Sequence, residues 1–481
     1  MEEMTTEVVK KRIVKGVAIL TARTFIMQLI ALIATALLTV FLEPAQYGVF
    51  FLVSAVINFL TYFSDIGFAA ALIQKKDQLT EAELRTVFTT QQALVIILII
   101  LVYLTTPIIK NIYQLNNEAI YLLWALTFSL FLSSLKIIPS VLMERRLEFN
   151  KLIIPQLVET ILFNMVAVFL AWKNFGITSF TIAVLVRGIS GLVVTYLIQP
   201  WLPSLTFSKM ALKSILKFGI PYQINTLLAM IKDDGMTLFL GSILGTGGIG
   251  LLAWAQKWAF APLRFFMDQV IKVTFPAFSR LQNDKKELSN AVSKSILYIC
   301  LLVFPSIVML ILLAPSLVEI IPRYNKWSPA LFALTLLTAN SALAAITTPV
   351  TNTLNAIGKI SVTFKLMIMW TVLTWIFVPL LALNYGVNGA AFGFALVGVS
   401  SVIALIVALK FVQINYIEII SKPVLISAVV GVMMFIIKGL IEVSFTQVIA
   451  MIAGGLVIYI GSVILIEPRI LGLFSKIKKD V

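Results

Sequence analysis

The chain has 481 residues, of which 60% are hydrophobic and only 12% are charged. Soluble domains carry about 25% charged residues, so this composition excludes an ordinary soluble protein. The formal net charge of +15 would suggest a nucleic-acid partner in a soluble chain, but its distribution among the loops explains it better, and no nucleic-acid partner is expected.

Apolar segments of about 20 residues, long enough to cross the hydrocarbon core as a helix, recur along the whole chain. They predict an all-α polytopic membrane protein of about 14 transmembrane helices. In chain order, the predicted spans are 16–41, 46–73, 86–107, 119–143, 152–172, 178–199, 214–240, 248–271, 294–314, 328–353, 362–383, 387–409, 423–441 and 446–466.

The basic residues are distributed unevenly between the two sides of the membrane. With both termini in the cytoplasm, 26 of the 37 Lys and Arg residues lie in cytoplasmic segments, five lie in outer loops and six lie inside spans. The positive-inside rule therefore predicts a multi-pass protein of the plasma or inner membrane with both termini cytoplasmic. The outer loops are short and the chain has no histidine, so we do not expect an enzyme.

Two halves of the chain resemble each other. Phe175-Gly176-Ile177 matches Tyr385-Gly386-Val387, and Gly188-Ile189-Ser190 matches Gly398-Val399-Ser400 at the same offset. A repeat of six spans keeps its orientation, and parallel repeats of this kind are typical of transporters that work by alternating access.

The repeat predicts two six-helix lobes, one formed by residues 1–200 and the other by residues 201–412. Residues 413–481 follow as two additional helices and a basic cytoplasmic tail.

Charged residues inside the spans are the candidates for function, because a charge in the bilayer core costs several kcal/mol and needs a partner or a wet cavity. The six cations are Arg23, Lys136, Arg187, Lys232, Lys257 and Arg264. The five acids are Asp65, Glu159, Asp233, Asp234 and Asp268. Structural pairing is one interpretation of these charges: Arg264 with Asp268, Lys232 with Asp233 or Asp234, and Arg23 or Arg187 with Glu159.

Binding of an anion is the other interpretation. Lys257 and Arg264 are seven residues apart, about 10 Å along one helix face, and Arg and Lys together suit phosphate oxygens. All six cations are candidates for such an anion site. Further polar or aromatic candidates, which could instead bond neighbouring helices or anchor the interface, are Gln28, Asn58, Tyr222, Asn225 and Trp254.

No motif for a nucleotide, a metal or a redox cofactor occurs, and the chain has a single cysteine, Cys300. We therefore expect no cofactor, no metal and no catalytic residue. Transport would then draw on a proton or sodium gradient or on the membrane potential, and the five acids inside the spans are the candidates for ion coupling.

Short motifs resemble the polysaccharide-transporter (oligosaccharide flippase) family of the multidrug/oligosaccharidyl-lipid/polysaccharide exporter superfamily. The motifs that carry the resemblance are Tyr47-Gly48, Asp65-Ile66-Gly67, Glu148-Phe149-Asn150-Lys151, Phe275-Pro276-Ala277-Phe278 and Lys326-Trp327. Their order and spacing are most similar to the exopolysaccharide (colanic-acid type) branch.

The resemblance implies a V-shaped fold with a cavity lined mainly by the first, second, seventh and eighth spans. This lining makes Arg23, Lys232, Lys257 and Arg264 the primary candidates for the anion site, with Lys136 and Arg187 as secondary candidates. Aromatic residues such as Tyr222 and Trp254 would then contact the sugar. It implies flipping of a polyprenyl-diphosphate-linked oligosaccharide from the cytoplasmic to the outer leaflet for cell-surface polysaccharide synthesis. The expected partners are this lipid-linked substrate, membrane lipids, and a polysaccharide polymerase with its chain-length machinery, and the protein is expected to be a monomer.

Two alternatives remain open. A small-molecule antiporter of the same superfamily would need an acid-dominated cavity for cationic drugs or metabolites. The spans of this chain contain six cations and five acids, which argues against such a cavity. A membrane glycosyltransferase or polymerase would need external catalytic groups, which the short outer loops disfavour.

Overall fold

The structure is a computed structural model that describes residues 6–75 and 77–467. The side chains of residues 6–22, 214, 217–226, 269, 272 and 273 lie outside the described part. Within it, every regular element is a helix, as the composition predicts.

Twelve helical segments of the described chain are long and apolar enough to cross a membrane. Two of them, Leu227–Asp268 and Ile360–Ala408, have 42 and 49 residues, far more than one span needs. The backbone leaves helical geometry at Gly245 (φ 64°) in the first and at Gly386 (φ 58°) in the second. Both glycines lie in predicted loops, so each segment contains two spans. The prediction of fourteen spans is confirmed, and the chain is a multi-pass helical membrane protein.

The described chain forms two compact units, Met1–Gly250 and Leu251–Val481. The predicted lobes 1–200 and 201–412 and the extension 413–481 remain predictions. Unit 1 contains α1 (Thr6–Phe41), α2 (Pro44–Ser64), α3 (Phe68–Gln74), α4 (Glu81–Tyr113), α5 (Asn117–Leu135), α6 (Ile137–Arg145), α7 (Phe149–Trp172), α8 (Thr178–Ile198), α9 (Lys209–Met230), a π-helix (Ile231–Gly235) and the start of α10 (Met236–Arg280).

Unit 2 contains the rest of α10 and the helices that follow it. These are α11 (Lys285–Ile320), a 3-10 helix (Asn325–Ala330), α12 (Leu331–Ala356), α13 (Ile360–Ser400), α14 (Val402–Ala408), α15 (Tyr416–Leu440) and α16 (Phe445–Ile466). The two additional helices, α15 and α16, pack on α11 through an apolar cluster that includes Leu313, Met434 and Met451.

Helix starts follow local side-chain chemistry. Thr80 and Glu83 form a reciprocal capping box at the start of α4, and Asp284 accepts hydrogen bonds from two backbone amides at the start of α11. Asn116 and Ser444 cap α5 and α16 in the same way. These caps satisfy amides that the first helical turn leaves unpaired.

The second predicted span, 46–73, is not continuous. It divides into α2 and α3 at Asp65, whose carboxylate accepts hydrogen bonds from the amides of Phe68 at 2.7 Å and Ala69 at 3.4 Å. Gly67 takes a left-handed conformation with φ 75°, which suits glycine. The Asp65-Ile66-Gly67 motif therefore builds a helix break and a cap, and this structural role accounts for an acid that the sequence offers as an ion-coupling candidate.

The fourth predicted span, 119–143, is also interrupted. Helix α5 ends at Leu135, α6 begins at Ile137, and Lys136 lies between them. The Leu135 carbonyl at the break accepts a hydrogen bond from the Tyr196 hydroxyl at 2.9 Å. The break gives Lys136 a position at the junction of two helices inside unit 1.

Matched glycines of the repeat have matching geometry. Gly176 and Gly386 both have left-handed φ values, 56° and 58°. A Cβ on Gly188 would lie 2.9 Å from a side chain of another helix, and one on Gly398 would lie 2.6 Å from such a side chain. The two halves thus repeat both a turn and a close helix approach.

Candidate functional site

A group of charges from three helices of unit 1 meets at Glu159. Its Oε1 accepts a hydrogen bond from Lys136 Nζ, and its Oε2 lies 3.7 Å from Arg187 Nε. The side chains of Lys136 and Glu159 are each 13% exposed, whereas that of Arg187 is 54% exposed. The Arg187–Glu159 pair is among the predicted alternatives, and the pairing of Lys136 with Glu159 was missed. We call Lys136, Glu159 and Arg187 the unit 1 triad.

Gly191 on α8 makes room for the Glu159 carboxyl group. A Cβ on this glycine would lie 1.8 Å from Glu159 Oε1, well inside van der Waals contact. The carboxyl group therefore lies directly against the α8 backbone, four residues beyond Arg187 and within reach of both cations.

A cavity of about 140 Å³ opens beside the triad. Its polar lining comes from Lys136, Ser140, Gln156, Glu159 and Thr195. Its apolar lining comes from Met143, Leu152 and Pro155. The volume corresponds to about four or five water molecules.

Arg23 on α1 contacts this region through Gln156 of α7. Its Nη1 donates a hydrogen bond to Gln156 Oε1, while its Nε has no hydrogen-bond partner among the described residues. The predicted alternative pairing of Arg23 with Glu159 is therefore not found. Arg23 is instead held one helical turn away from Glu159, since Gln156 and Glu159 are three residues apart on α7.

A second polar group lies at the π-helix of unit 1. Lys232 Nζ lies 3.1 Å from Asp233 Oδ1, and Asp234 is hydrogen-bonded to the side chain of Asn58 on α2. The structure thus brings together four residues that the sequence singles out. Single-turn π-helices are frequent at functional sites, and this one lay within a span predicted as ordinary helix.

In unit 2 the predicted site residues lie on α10. Lys257 is half-buried and Arg264 is exposed, and Lys257 feels the positive charge of Arg264. The helix is continuous between them, so the two cations share one face, with Asp268 one turn further along. Two cations on one face favour an anion between them, and their roles remain predictions.

Trp254 is buried, which corrects its prediction as a sugar-binding residue. It is 2% exposed, its indole Nε1 donates to the Tyr324 hydroxyl at 3.0 Å, and its ring stacks on Trp327 with a centroid distance of 5.5 Å. A ring enclosed in this way has no free face for a sugar, so Trp254 serves packing in unit 2.

Other predicted residues are not placed in a site. The side chains of Tyr222 and Asn225 lie outside the described part of the chain, and Gln28 on α1 is half-buried and remains a prediction. Within the described residues no cluster of three or more acids or cysteines could hold a metal ion.

Sequence reasoning missed Gln156 and Gly191 as parts of the unit 1 site. A usable signal existed for each. Gln156 precedes Glu159 by three residues in an otherwise apolar span, and Gly191 follows Arg187 by four residues, so each shares a helix face with a charge.

Comparison with known proteins places the chain among polysaccharide biosynthesis proteins. Residues 37–331 match the family model described as "Polysaccharide biosynthesis protein". The chain is 24% identical over 392 residues to the lipopolysaccharide biosynthesis protein WzxC of Escherichia coli (strain K12), covering 78% of this chain and 76% of that protein. It is 22% identical over 386 residues to the teichuronic acid biosynthesis protein TuaB of Bacillus subtilis (strain 168), covering 77% of each.

The fold is similar to that of a solved structure. The lipid II flippase MurJ in an inward closed conformation superposes with a TM-score of 0.78 at 17% identity, over 94% of this chain and 100% of that chain. The resemblance predicted from motifs is confirmed. Because the family model matches more than half of its residues, the chain belongs to the polysaccharide biosynthesis protein family.

Proposed function

We propose that the protein is a flippase that moves a polyprenyl-diphosphate-linked oligosaccharide from the cytoplasmic to the outer leaflet of the cell membrane. The observation that carries the proposal is the family match, found on a chain whose fold is similar to that of a lipid II flippase. The relatives WzxC and TuaB are named for the biosynthesis of surface polysaccharides.

The charges inside the spans support an anionic substrate. A diphosphate headgroup must leave water to cross the bilayer, and cations fixed in the protein replace part of the hydration that it loses. Arg23 and Lys232 in unit 1 and Lys257 and Arg264 in unit 2 are the residues that we propose for this role. Each belongs to a helix and is therefore held in position rather than recruited from a loop.

Orientation and energy supply are part of the proposal. The excess of basic residues in one set of loops supports cytoplasmic termini, and entry of substrate from the cytoplasmic leaflet follows from that orientation. No nucleotide-binding motif accompanies the spans, so we propose that a proton gradient, a sodium gradient or the membrane potential drives transport. Asp233, Asp234 and Asp268 are the acids that we propose for coupling.

The protein is proposed to move its substrate without forming or breaking a covalent bond. The two alternatives make different demands: an antiporter would export cationic dyes, and a polymerase would extend sugar chains without any other enzyme. The names of the relatives, which refer to polysaccharide biosynthesis, and the fold shared with a lipid II flippase support the flippase over both alternatives.

Reconstitution into proteoliposomes tests the proposal. A fluorescent polyprenyl-diphosphate-linked sugar should become accessible to a membrane-impermeant glycosidase on the opposite face in a protein-dependent way. Arg264→Ala should slow this step at least tenfold, whereas Arg280→Ala, at the exposed end of the same helix, should not. Flipping at equal rates in empty and protein-containing vesicles, or transport of a cationic dye instead, would contradict the proposal.

A further inference from the structure

We propose that the cavity beside the unit 1 triad is a binding site for a phosphate-type oxyanion. The site is separate from Lys257 and Arg264 of unit 2, and Arg23, proposed above for the headgroup, lies at its edge. The site lies wholly within unit 1 and is formed by the α5–α6 break, α7 and α8. Its occupant is one phosphate group, from a lipid headgroup of the bilayer or from the lipid-linked substrate.

The charge of the site calls for an anion. Lys136 and Arg187 share a single carboxylate, Glu159, and Arg23 lies one helical turn further on, bonded to the neutral amide of Gln156. Three cations thus lie around one acid, of which Lys136 and Glu159 line the cavity itself and Arg187, at 54% exposure, lies outside it. An uncompensated cation inside a membrane-spanning bundle is costly, and a bound anion removes that cost.

The uncharged lining offers donors to an anion. Gln156 accepts from Arg23 with its amide oxygen, which leaves its amide NH2 group available to donate to an anion in the cavity. The Ser140 hydroxyl adds an O–H donor, and the ammonium of Lys136 keeps two N–H groups beyond its bond to Glu159. Donors of this kind, arranged around a cation, are what phosphate oxygens bind.

Size and depth restrict the occupant further. A volume of about 140 Å³ admits one tetrahedral oxyanion with little water, and it excludes an oligosaccharide. Lys136 lies about 14 Å from the end of α6 at Arg145, by the rise of a helix. In the predicted orientation this is the cytoplasmic half of the membrane, where a headgroup of the inner leaflet can reach it.

The fold does not require these polar groups. The lining and triad residues are Lys136, Ser140, Gln156, Glu159, Arg187 and Thr195. The residues at the repeat offset of 210 are all apolar: Ile346, Val350, Leu366, Met369, Val397 and Leu405. Four of these, at positions 346, 350, 366 and 405, are buried in apolar clusters of unit 2. The matched positions of unit 2 therefore pack without charges, on a helix α12 that is continuous where unit 1 has the break at Lys136. This points to binding rather than folding as the reason for the charges.

Phosphate-dependent stability tests the site. The full-length protein, in phosphatidylcholine nanodiscs, is titrated with inorganic phosphate at constant ionic strength held with chloride, and its thermal unfolding is followed by tryptophan fluorescence. We expect saturable stabilisation by phosphate. Lys136→Met should weaken the apparent phosphate affinity at least tenfold, and Glu159→Gln should strengthen it several-fold because it removes the competing carboxylate.

Two further variants keep the test decisive. Lys173→Met removes a lysine from the far end of α7, where it lies over the Trp172 ring, and should leave phosphate binding unchanged. Ser140→Val fills the cavity without a change of charge, and it should weaken phosphate binding even if Lys136→Met does not fold. Equal phosphate responses in the wild type, Lys136→Met and Ser140→Val would overturn the proposal.

Two measurements distinguish the source of the phosphate. If the source is the bilayer, native mass spectrometry should find phosphatidylglycerol retained by the wild type and lost in Lys136→Met. If the source is the substrate, which rests on the proposed function, Lys136→Met should raise the KM for flipping at least tenfold with little change in maximal rate. If neither effect is observed, the phosphate is an adventitious ion only, and the proposal is overturned. Absence of flipping by the wild type would contradict the proposed function and leave the phosphate and lipid results standing.

Discussion

Unit 1 and unit 2 place different chemistry at positions that the predicted repeat matches. Unit 1 has Lys136, Glu159 and Arg187 where unit 2, at the repeat offset of 210, has Ile346, Met369 and Val397. In unit 1 these positions surround a small polar cavity, whereas Ile346 in unit 2 is 6% exposed within an apolar core. A charge that one half of a repeat can replace with a hydrocarbon side chain is not needed for the fold.

The two units also differ in how their charges are arranged. The unit 1 triad joins three helices, so each charge is positioned by tertiary packing and is partly neutralised. In unit 2, Lys257, Arg264 and Asp268 lie on one face of the single helix α10. A charge group that joins several helices resists rearrangement more than one carried by a single helix, which can move as a unit. The charges of unit 1 are therefore fixed by contacts between helices, whereas those on α10 are positioned by one helix alone.

The largest effect on stability should come from removing the acid of the triad. Glu159→Ala leaves Lys136 and Arg187 without their carboxylate, and breaking a buried pair typically costs about 3–5 kcal/mol. The measurement is thermal or denaturant unfolding of purified protein in detergent. Glu118→Ala, at the exposed start of α5, is the control and should change stability little. Equal stability of both variants would show that Lys136 and Arg187 do not need the Glu159 carboxylate for the protein to stay folded.

A smaller loss is expected from Gly191→Ala. The new methyl group would lie 1.8 Å from Glu159 Oε1, so the carboxyl group must move away from Lys136, at a cost of about 1–3 kcal/mol. Gly247→Ala, where nothing lies within 4 Å of the added carbon, serves as the matched control. Unfolding of the Gly191→Ala variant at the wild-type temperature would refute the close approach of Glu159 to α8.

The smallest effect concerns the turn that both units share. Gly386 has a φ of 58° with open space around it, so Gly386→Ala adds backbone strain alone, about 1–2 kcal/mol. Gly461→Ala lies in open space within α16 and should be neutral or slightly stabilising, because alanine favours a helix. Calorimetry measures the change in stability of each variant relative to the wild type. A loss of stability in Gly461→Ala as large as that in Gly386→Ala would remove the argument for a strained turn.

Much of the architecture follows from the sequence because hydrophobic length and glycine position are local signals. The number of spans could be predicted, and the loops at Gly245 and Gly386 lie where one predicted apolar segment ends and the next begins. The breaks at Asp65 and Lys136 could not be predicted as breaks. A polar residue inside an apolar segment does not disclose whether the helix continues through it, since that depends on caps and carbonyl partners such as the Tyr196 hydroxyl.

The candidate site could be predicted by residue but not by pairing. Every charge inside the spans was identifiable from the sequence, yet Lys136 and Glu159 are 23 positions apart on different helices, and only packing brings them together. The π-helix at Lys232 could not be predicted, because one extra residue in a helical turn does not change the amino-acid composition of the segment. Trp254 was misjudged as a sugar contact because its partners Tyr324 and Trp327 come from a distant segment.

The most direct test gives unit 1 the residues of unit 2 by combining Lys136→Ile, Glu159→Met and Arg187→Val. Replacing a buried charge group by apolar residues is often neutral for stability or better, so the variant should be recovered folded at the wild-type unfolding temperature. Its stabilisation by inorganic phosphate should be lost, and, where the substrate supplies the phosphate, its KM for flipping of the lipid-linked sugar should rise at least tenfold. A folded variant that responds to phosphate and flips substrate as the wild type does would contradict the assignment of a binding role to the unit 1 triad.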